Sequence, residues 1–364
     1  IGNGVVIDPS ALFDEIAYIK EKGIKIGELR ISERAHIVFP YHKIFDSLAE
    51  EISTKIGTTR RGIGPTYDDK VSRIGIRVCE LSNKSILKEK LRKNLFIKEK
   101  ILCLYNKKCE KIEKILKAYA IYGKKIKRYA TDTTLLLNNA IKDGKNILLE
   151  GAQGTHLDID HGTYPYCTSS STIAGGASIG TGIPPNRIDK IVGIMKAYTT
   201  RVGEGPLPTE IKNRIGRYIL EKGKEYGTTT GRVRRCGWLD LVQIKYSNMI
   251  NGFTSMALTK IDVLSGLKKV KVCIRYEYNG KEIKNMPSDT ELLWRSKPVY
   301  VEFKGWKMDK DSWQKCKKSF DLLPSALREY LDYIQNEVGI EFEVISYSPK
   351  RDDTIDLIYR DYIR

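Results

Sequence analysis

The sequence predicts an α/β fold, a single elaborated domain in which helices flank a mainly parallel central β-sheet. Three observations lead to this prediction. In the second half of the chain, short strand-like segments alternate with amphipathic helical segments, as in βαβ units. Glycine-rich segments follow two of the predicted strands, where open α/β sheets bind ligands. No internal repeat or low-complexity linker divides the chain, so residues 1–364 are assigned to one domain.

The first predicted elements are a short strand or loop, IGNGVVI, and the helix after it. Asp8 is a suitable N-cap, Pro9 suits the first helical turn, and Gly23 can end the helix. Residues 57–81 are rich in Gly, Arg and Thr and show little periodicity, which predicts an ordered loop. Residues 84–143 are predicted to form a mostly helical subregion.

The remaining elements alternate between strand and helix. A short apolar strand, NILLE, is predicted at 146–150. The other predicted strands are 189–195, 254–259, 269–278 and 340–346. Helical patterns occupy 212–223, 240–250 and 324–338. Asn279 and Gly280 predict a hairpin turn after the third of these strands.

The net charge of the chain indicates which kinds of partner the protein can bind. The formal charge is +18, which favours anionic partners such as nucleotides, nucleic acid or acidic surfaces. The lysines can equally be a solvated helix face, because those in 84–128 alternate with apolar residues at helical spacing. Aromatic residues do not interleave with the basic loops, as stacking on bases requires, so nucleic-acid binding is not expected.

No segment approaches the roughly 20 apolar residues of a membrane-spanning helix, and no secretory pattern opens the chain. No membrane association is therefore expected. The seven cysteines form no C-x-x-C pair, and with four histidines no zinc-finger spacing occurs. An odd number of scattered cysteines is typical of reduced thiols, which predicts a cytoplasmic protein.

The first chemical motif is Thr259-Lys260-Ile261-Asp262, directly after the predicted strand 254–259. An aspartate at this place can accept two hydrogen bonds from the N1–H and 2-amino group of guanine. Adenine would leave the carboxylate unpaired, so such a site can select guanine strongly. The alternative interpretation is a salt bridge at the end of a strand.

The second motif is EGAQGT at 150–155, followed by LDIDHGTYPYCTSSST. Small residues around Gln153 allow the backbone to approach a ligand closely, and its amide suits a base edge such as that of hypoxanthine. Thr168 and the two serines after it can donate to phosphate oxygens. No Gly-Lys-Ser/Thr follows, so this is not a Walker loop. The alternative is a tight turn with capping hydroxyls.

The third motif lies in residues 57–78, GTTRRGIGPTYDDKVSRIGIRV. Its hydroxyls and guanidinium groups are donors for a phosphate. These donors are Thr58, Thr59, Arg60, Arg61 and Arg73. The alternative is a basic surface loop, although two glycines and a proline indicate a fixed backbone path.

The fourth motif, GTTTGRVRRCGWLD at 227–240, combines three threonines with three arginines. Arginine forks bind carboxylates and phosphates in bidentate fashion. Gly227 and Gly231 allow the hinge motion of a loop that closes over a substrate.

Together these segments resemble the adenylosuccinate synthetase family. The matching segments are GNGVVIDP, GTTRRGIGPTYDDKVSR, LLEGAQGTHLDIDHGTYPYCTSS, KAYTTRVGEGPLPTE, GTTTGRVRRCGWLDLV, LTKIDVLSGLKKVKVC, LPSALREYLDYI and VISYSP. The resemblance implies a P-loop-like GTP-binding ligase architecture and a homodimer. It implies that IMP and L-aspartate are joined with GTP and Mg²⁺ through 6-phosphoryl-IMP, giving adenylosuccinate, GDP and phosphate on the path to AMP. The alternative function is a non-catalytic purine-nucleotide-binding protein.

The resemblance also implies roles for individual residues, among them a catalytic role for Gln153 and a cross-subunit contact of Arg73. The residues implied for IMP are Thr59, Arg73, Gln153, Thr168 and Arg232. Those implied for aspartate are Thr228, Thr229, Thr230, Gly231, Arg232 and Arg234. Those implied for GTP are Arg234, Lys260, Ile261, Asp262, Ser346, Tyr347 and Ser348. No metal ligand is implied within the sequence.

The sequence departs from the family pattern at three positions. Ser348 stands where the family usually has glycine, His156 where it has an aliphatic residue, and Ser171 where it has asparagine. The family also carries an N-terminal segment with G-D-E-G-K-G-K and N-A-G-H-T, which supplies a catalytic aspartate, a lysine and a histidine. We expect the native protein to carry that segment upstream of Ile1.

Overall fold

The structure is a computed structural model that describes residues 1–52, 55–227, 231–317 and 319–357. The chain divides into an N-terminal unit, Ile1–Ile188, and a C-terminal unit, Asp189–Arg364. Each unit has its own buried core. The assignment of the whole chain to one domain stays a prediction.

The N-terminal unit is mainly helical. Its helices are α1 (Pro9–Glu21), α2 (Pro40–Ile52), α3 (Ile63–Val71), α4 (Val78–Leu81), α5 (Lys84–Leu104), α6 (Ile112–Ile126), α7 (Thr133–Lys142) and α8 (Ala174–Thr181). Its strands are β1 (Val6–Ile7), β2 (Ile31–Ser32), β3 (His36–Ile37) and β4 (Ala130–Thr131), and its 3₁₀ turns are Thr155–Leu157 and Pro185–Arg187. β1 pairs in parallel with β3, and β2 pairs in parallel with β4.

Local sequence signals explain how α1 begins and ends. Asp8 accepts a hydrogen bond from the backbone N–H of Ser10 at 3.0 Å, and Pro9 occupies the first helical position. Gly23 follows the helix with φ of 70°, a left-handed conformation that favours glycine. Both ends of this helix agree with the prediction.

Three of the helices, α5, α6 and α7, occupy most of residues 84–143. One face of α5 buries leucines at helical spacing, including Leu87 and Leu91, against the buried face of α6, including Ile115 and Tyr119. Each fully buried side chain of this size contributes about 1.5–3 kcal/mol through removal of apolar surface from water. Packing, rather than the lysine-rich outer face, therefore holds these helices together.

Two predictions for the N-terminal unit are wrong. Residues 57–81 contain α3 and α4, and are not only loop. Helix formation around Pro65 is possible because a proline in the first turn has no helical hydrogen bond to lose. The segment 146–150 is not a strand, and Leu148 is 92% exposed. In the described part of the chain no strand pairs with this segment, and an apolar run without a partner does not form a sheet.

The C-terminal unit contains the larger sheets. Its strands are β5 (Val192–Lys196), β6 (Thr199–Arg201), β7 (Arg235–Gly237), β8 (Leu239–Asp240), β9 (Ser255–Thr259), β10 (Lys269–Tyr278), β11 (Lys281–Ile283), β12 (Lys297–Lys304), β13 (Phe342–Ser346) and β14 (Thr354–Asp356). Its helices are α9 (Arg214–Gly223), α10 (Leu241–Asn251), α11 (Thr290–Arg295), α12 (Lys310–Cys316) and α13 (Ser325–Val338), and its 3₁₀ turns are Ile261–Leu264 and Phe320–Leu322.

The main sheet of this unit has the described strand order β14-β13-β9-β5. β13, β9 and β5 are parallel to one another, and only β14 at the edge is antiparallel. These three strands lie where the sequence predicted strands, so the mainly parallel sheet is confirmed. Their carboxyl ends share one edge, because Lys196 pairs with Thr259 and Leu258 pairs with Ile345.

The second sheet joins β11, β10 and β12 in antiparallel pairs, with β8 added in parallel to β10. Asn279 and Gly280, with φ of 49° and 73°, form the predicted turn of the β10–β11 hairpin. β12 was not predicted, because Pro298 near its start reads as an interruption of a strand. The antiparallel sheet is therefore larger than the sequence indicates.

Helix α13 packs across the core of this unit through Leu327, Leu331 and Ile334, each with no exposed surface. The Tyr330 hydroxyl donates to the carbonyl of Ala197 at 2.9 Å, which ties the helix to the residue just after β5. Among the helices that the structure describes, none has the length and apolar character needed to span a membrane.

Candidate functional site

The predicted guanine motif and the predicted Ser346–Ser348 segment meet at the carboxyl edge of the main sheet. β9 ends at Thr259, immediately before Lys260, and the neighbouring parallel strand β13 ends at Ser346. The ends of adjacent parallel strands lie side by side, which is where ligands bind in open α/β sheets. Two segments that are far apart in the sequence are thus brought together.

Asp262 lies in a 3₁₀ turn directly after β9. Lys260 precedes this turn with φ of 61°, so the chain bends sharply at the end of the strand. The Asp262 carboxyl is half-buried, and burial raises its pKa. The Ile261 side chain has no exposed surface and belongs to the core, so any ligand contact of Ile261 comes from its backbone.

The segment after β13 is a tight turn. Ser346 Oγ donates to the carbonyl of Ser348 at 3.0 Å. The ring of Tyr347 is buried and stacks on Trp313, with centroids 5.3 Å apart, so only its backbone can face a ligand. Ser348 does not have a positive φ, so the replacement of glycine by serine causes no backbone strain.

The arginine- and threonine-rich motif forms the base of a hairpin. The Gly227 N–H donates to the carbonyl of Arg232 at 2.7 Å, and the Gly231 N–H donates to the carbonyl of Gly227 at 2.7 Å. Gly231 has φ of 65°, which favours glycine at this turn. The backbone of Arg232 is therefore fixed opposite Gly227. Thr228, Thr229 and Thr230 lie outside the described residues, so their assignment to aspartate stays a prediction.

Glu225 is the centre of a cluster that sequence reasoning missed. Its side chain has no exposed surface. The carboxylate accepts hydrogen bonds from Lys196 Nζ at 2.9 Å and from the Tyr198 hydroxyl at 2.6 Å. Arg234 Nη1 lies 2.8 Å and Lys260 Nζ lies 3.3 Å from its oxygens. Burial alone would raise the pKa of Glu225, but hydrogen bonds from Tyr198 and Lys196 lower it to about 2.

Arg234 and Lys260, both implied for GTP, are therefore held by one buried carboxylate. No periodicity or motif in the sequence marks this carboxylate, because its neighbour residues are lysines and glycines typical of a solvated helix end. The one sequence feature that could have pointed to Glu225 is its position two residues before Gly227, where the arginine- and threonine-rich motif begins. Arg235, which the sequence left without a role, donates to Glu210 and to the carbonyl of Gly205, so it holds a neighbouring loop.

The predicted phosphate loop of the N-terminal unit is fixed by two acidic residues of α2. The Glu50 carboxylate accepts from the backbone N–H groups of Gly57 at 3.1 Å and Thr58 at 3.1 Å. The Asp46 carboxylate accepts from the N–H of Gly62 at 2.8 Å. Thr59, the residue after Thr58, has an exposed side chain. The loop therefore has a defined backbone with its donors turned outward.

The hydroxyl cluster after the second motif lies beside the first turn of α3. A Cβ added at Gly64 would lie 3.2 Å from Ser169 Oγ, which shows how closely the two segments approach. The backbone of Thr168 is fixed by its N–H, which donates to the carbonyl of Leu157 at 2.8 Å. The two predicted phosphate-binding segments of this unit are thus neighbours.

Gln153 lies at a sharp bend of the second motif, with φ of 61° and an exposed side chain.

Asp158 organises the loop that follows. Its buried carboxylate accepts four backbone hydrogen bonds. The donors are the N–H groups of Asp160 at 2.9 Å, His161 at 3.0 Å, Thr172 at 2.6 Å and Ile173 at 3.2 Å. Burial opposes the charge, but these bonds lower the pKa of Asp158.

Arg73 follows the last turn of α3, with φ of 64° and an exposed side chain.

A buried ionic group holds α3 in place. The ring of His42 accepts the N–H of Phe39 at Nδ1, 2.9 Å away, and its Nε2 donates to Asp69 Oδ2 at 2.8 Å. Lys98 Nζ lies 2.7 Å from the other oxygen of Asp69. Burial lowers the pKa of His42, so the ring stays neutral.

The described ranges of the chain contain no cluster of metal-ligating side chains. No group of three or more His, Cys, Asp or Glu side chains lies together there. Mg²⁺ bound with a nucleotide takes several ligands from phosphates and water, so few protein ligands are needed. The described residues nevertheless do not form a magnesium site by themselves.

Comparison with known proteins gives consistent matches. The profile of the family described as adenylosuccinate synthetase matches residues 1–355. An adenylosuccinate synthetase of Caldanaerobacter subterraneus subsp. tengcongensis is 50% identical over 362 residues, 98% of this chain and 84% of that relative. One of Thermoanaerobacter sp. is 50% identical over 366 residues, 100% of this chain and 84% of that relative.

Solved structures agree with these matches. The fully ligated adenylosuccinate synthetase from Plasmodium falciparum has a TM-score of 0.88 and 38% identity to this chain, and the match covers 98% of this chain and 84% of that one. A cyanophage S-2L succinoaminodeoxyadenylate synthetase, with a TM-score of 0.58 and 19% identity, shares the fold. That match covers 98% of this chain and 75% of the phage chain.

Proposed function

The chain belongs to the adenylosuccinate synthetase family, and we propose how its described residues serve the reaction of that family. The enzyme is a ligase in AMP synthesis that joins IMP to L-aspartate with consumption of GTP. The single observation that supports the residue assignment best is the meeting of Lys260 and Asp262 with Ser346–Ser348 at one sheet edge.

GTP binds at this edge in the proposal, with Asp262 as the residue that selects guanine. Its carboxylate accepts hydrogen bonds from N1–H and the 2-amino group. Adenine has no donors in these positions and would leave a half-buried carboxylate unpaired. The Lys260 stem lies along the base, and the backbone of Ser346–Ser348 borders it.

The hairpin that begins at Gly227 binds the amino-acid substrate. Arg232 and Arg234 offer guanidinium forks, and the threonines at 228–230 offer hydroxyl donors to the carboxylates of aspartate. Arg234 also reaches GTP, and Arg232 also contacts IMP. Gly231 permits the hairpin to close over the substrate.

Thr59 and Thr168 bind the phosphate of IMP, and Gln153 contacts its base. Support comes from the close approach of the segments that carry the two threonines, at Gly64 and Ser169. The exposed Arg73 reaches the IMP phosphate of a second subunit in a homodimer. These residues orient IMP so that its 6-oxygen accepts the γ-phosphoryl group of GTP. The amine of aspartate then displaces phosphate from C6 and forms the new C–N bond.

Mg²⁺ accompanies GTP in this proposal and neutralises charge on the phosphates. The described residues do not offer a magnesium ligand set, so none of them is assigned to the ion and no step is built on it. The protein acts in the cytoplasm, on small-molecule substrates and without nucleic acid or membrane.

Formation of adenylosuccinate from ¹³C-labelled aspartate tests the function. The protein is incubated with Mg²⁺, GTP, IMP and labelled aspartate, and each substrate is omitted in turn. We expect labelled adenylosuccinate in the complete mixture alone, measured by mass spectrometry. A protein that binds GTP and IMP by calorimetry but never forms the product would instead be the non-catalytic nucleotide-binding protein.

A further inference from the structure

We infer that Glu225 is a positioning residue of the ligase, which holds Arg234, Lys260 and Lys196 in one arrangement at the carboxyl edge of the main sheet. The inference rests on the proposed function, because Arg234 and Lys260 are the residues assigned there to GTP. Neither Glu225 nor Lys196 has a role in that assignment.

The contacts of Glu225 reach three separate elements. Lys196 is the last residue of β5, Lys260 follows β9, and Arg234 precedes β7. All three cations lie within 3.3 Å of a carboxylate that has no exposed surface. One buried group therefore fixes the relative positions of three cations that the chain brings from distant parts of the sequence.

The cations keep surface through which they can meet a ligand, whereas the carboxylate does not. The side-chain exposures are 26% for Lys196, 26% for Arg234 and 34% for Lys260, against 0% for Glu225. Three positive charges and one negative charge give the cluster a net charge of +2. An anionic ligand, such as a nucleoside triphosphate, would meet only the cationic side of the cluster.

Glu225 also joins the cluster to the hairpin that begins at Gly227. The backbone N–H of Arg234 donates to the carbonyl of Glu225 at 2.9 Å, while the guanidinium of Arg234 pairs with the Glu225 side chain. Two residues later, Gly227 begins the hairpin. The same residue thus fixes the base of the hairpin through its backbone and the arginine of the hairpin through its carboxylate.

A structural role alone is the competing explanation. Buried ion pairs add little to stability relative to well-packed apolar residues, whereas loss of one partner leaves charges uncompensated. If Glu225 only stabilised the fold, its replacement would lower stability without a selective effect on any substrate. A positioning role predicts a larger effect on GTP than on IMP, because two of the three cations are assigned to GTP and none to IMP.

The test is the variant Glu225→Gln in the full protein, with steady-state kinetics for each substrate. Glutamine keeps the size of the side chain and a hydrogen bond to Tyr198 but cannot hold three cations. We expect the KM of GTP to rise roughly tenfold or more, as when a charge-assisted hydrogen bond is lost. The KM of IMP should change by less than about threefold. An unchanged or lower KM for GTP would overturn the inference.

Glu343→Gln is the matched control. Glu343 is a largely buried carboxylate in β13 of the same unit, paired with Lys190 and Ser255, and has no assigned role in binding. Its replacement should leave all three KM values unchanged. If Glu225→Gln does not fold, Tyr198→Phe removes one hydrogen bond to the same carboxylate. A rise of roughly threefold in the KM of GTP supports the inference, and no rise overturns it.

Calorimetry of GTP binding separates this inference from the proposed function. If the wild-type protein makes no adenylosuccinate but Glu225→Gln still weakens GTP binding, the function is wrong and the positioning role stands. If the wild-type protein makes adenylosuccinate and both proteins bind GTP equally, only the positioning role fails.

Discussion

In the proposed function, Asp262 decides nucleotide choice at the scale of single residues, because adenine would leave its half-buried carboxylate unpaired. In Asp262→Asn, the amide replaces one acceptor with a donor. We expect the ratio of kcat/KM for GTP to that for ATP to fall by roughly 100-fold. Steady-state kinetics with both nucleotides measures this ratio. Asp309→Asn, which changes the exposed N-cap of α12, is the control and should keep the wild-type ratio. A variant at position 262 as selective as the wild type would contradict the guanine assignment.

The Arg232 side chain is proposed to contact both aspartate and IMP. The backbone of Arg232 is fixed opposite Gly227, so a change of side chain alters chemistry rather than the path of the hairpin. In Arg232→Leu the guanidinium fork proposed to bind aspartate and IMP is lost, and we expect the KM of both substrates to rise by roughly tenfold or more. Arg217→Leu, at an exposed position of α9, should leave both values unchanged. Equal kinetics in the two variants would show that Arg232 does not contact substrate.

The candidate residues were predictable from sequence where their type and spacing carry chemistry, as in T-K-I-D and the arginine-threonine motif. The carboxylates that hold these segments in place were not. The side chains of Glu225, Glu50 and Asp158 are buried, and burial of a single glutamate or aspartate leaves no periodic signal in the sequence. Sequence therefore indicated the residues proposed to contact ligands and missed the carboxylates that hold their segments in place.

At the scale of elements, α3 connects the phosphate loop to Arg73, and the group of His42, Asp69 and Lys98 anchors it. In Lys98→Met the charge of Asp69, whose side chain is 4% exposed, loses its main cationic partner. We expect the free energy of unfolding to fall by about 3 kcal/mol, measured by denaturant titration.

Lys93→Met provides the control on the same helix. Lys93 is 72% exposed and pairs with Glu89 one turn away, and such surface pairs contribute about 0.5 kcal/mol or less. A similar loss of stability in both variants would show that the buried group does not anchor α3.

Strands and helices with regular patterns were predicted well, and the exceptions have physical reasons. The three parallel strands of the main sheet were predicted because each is a short apolar run between turn residues. Helix α3 was missed because Gly64 and Pro65 lower local helix propensity, and contacts of Asp69 with other elements compensate for this. Segment 146–150 was predicted as a strand from its apolar run alone, although a strand also needs a partner.

At the scale of the whole molecule, the charge of +18 suits an enzyme whose substrates are all anions. The carboxylates that organise the cationic site also make stability depend on pH. The pKa of Glu225 is lowered from an ordinary value of 4.5 to about 2, so its ionised form stabilises the folded state. This contribution is fully present above about pH 4.5 and is lost as the pH falls through 2.

Acid unfolding measures this contribution. A shift of this size corresponds to about 3 kcal/mol in the free energy of unfolding between the two pH limits. In Glu225→Gln we expect the free energy of unfolding to depend correspondingly less on pH in this window. Denaturant titration at several pH values measures this dependence. Glu329→Gln, at an exposed position of α13, should behave as the wild type. A wild-type pH dependence in Glu225→Gln would contradict the role of this carboxylate in the folded state.

The most direct test of the whole account is the stoichiometry of GDP release. We expect one GDP for each adenylosuccinate formed, and sustained GDP release only when IMP and aspartate are both present. Both products can be counted by chromatography from the same reaction. GTP consumed at the same rate without IMP would contradict the account, because the γ-phosphoryl group would then have an acceptor other than the base that the enzyme binds.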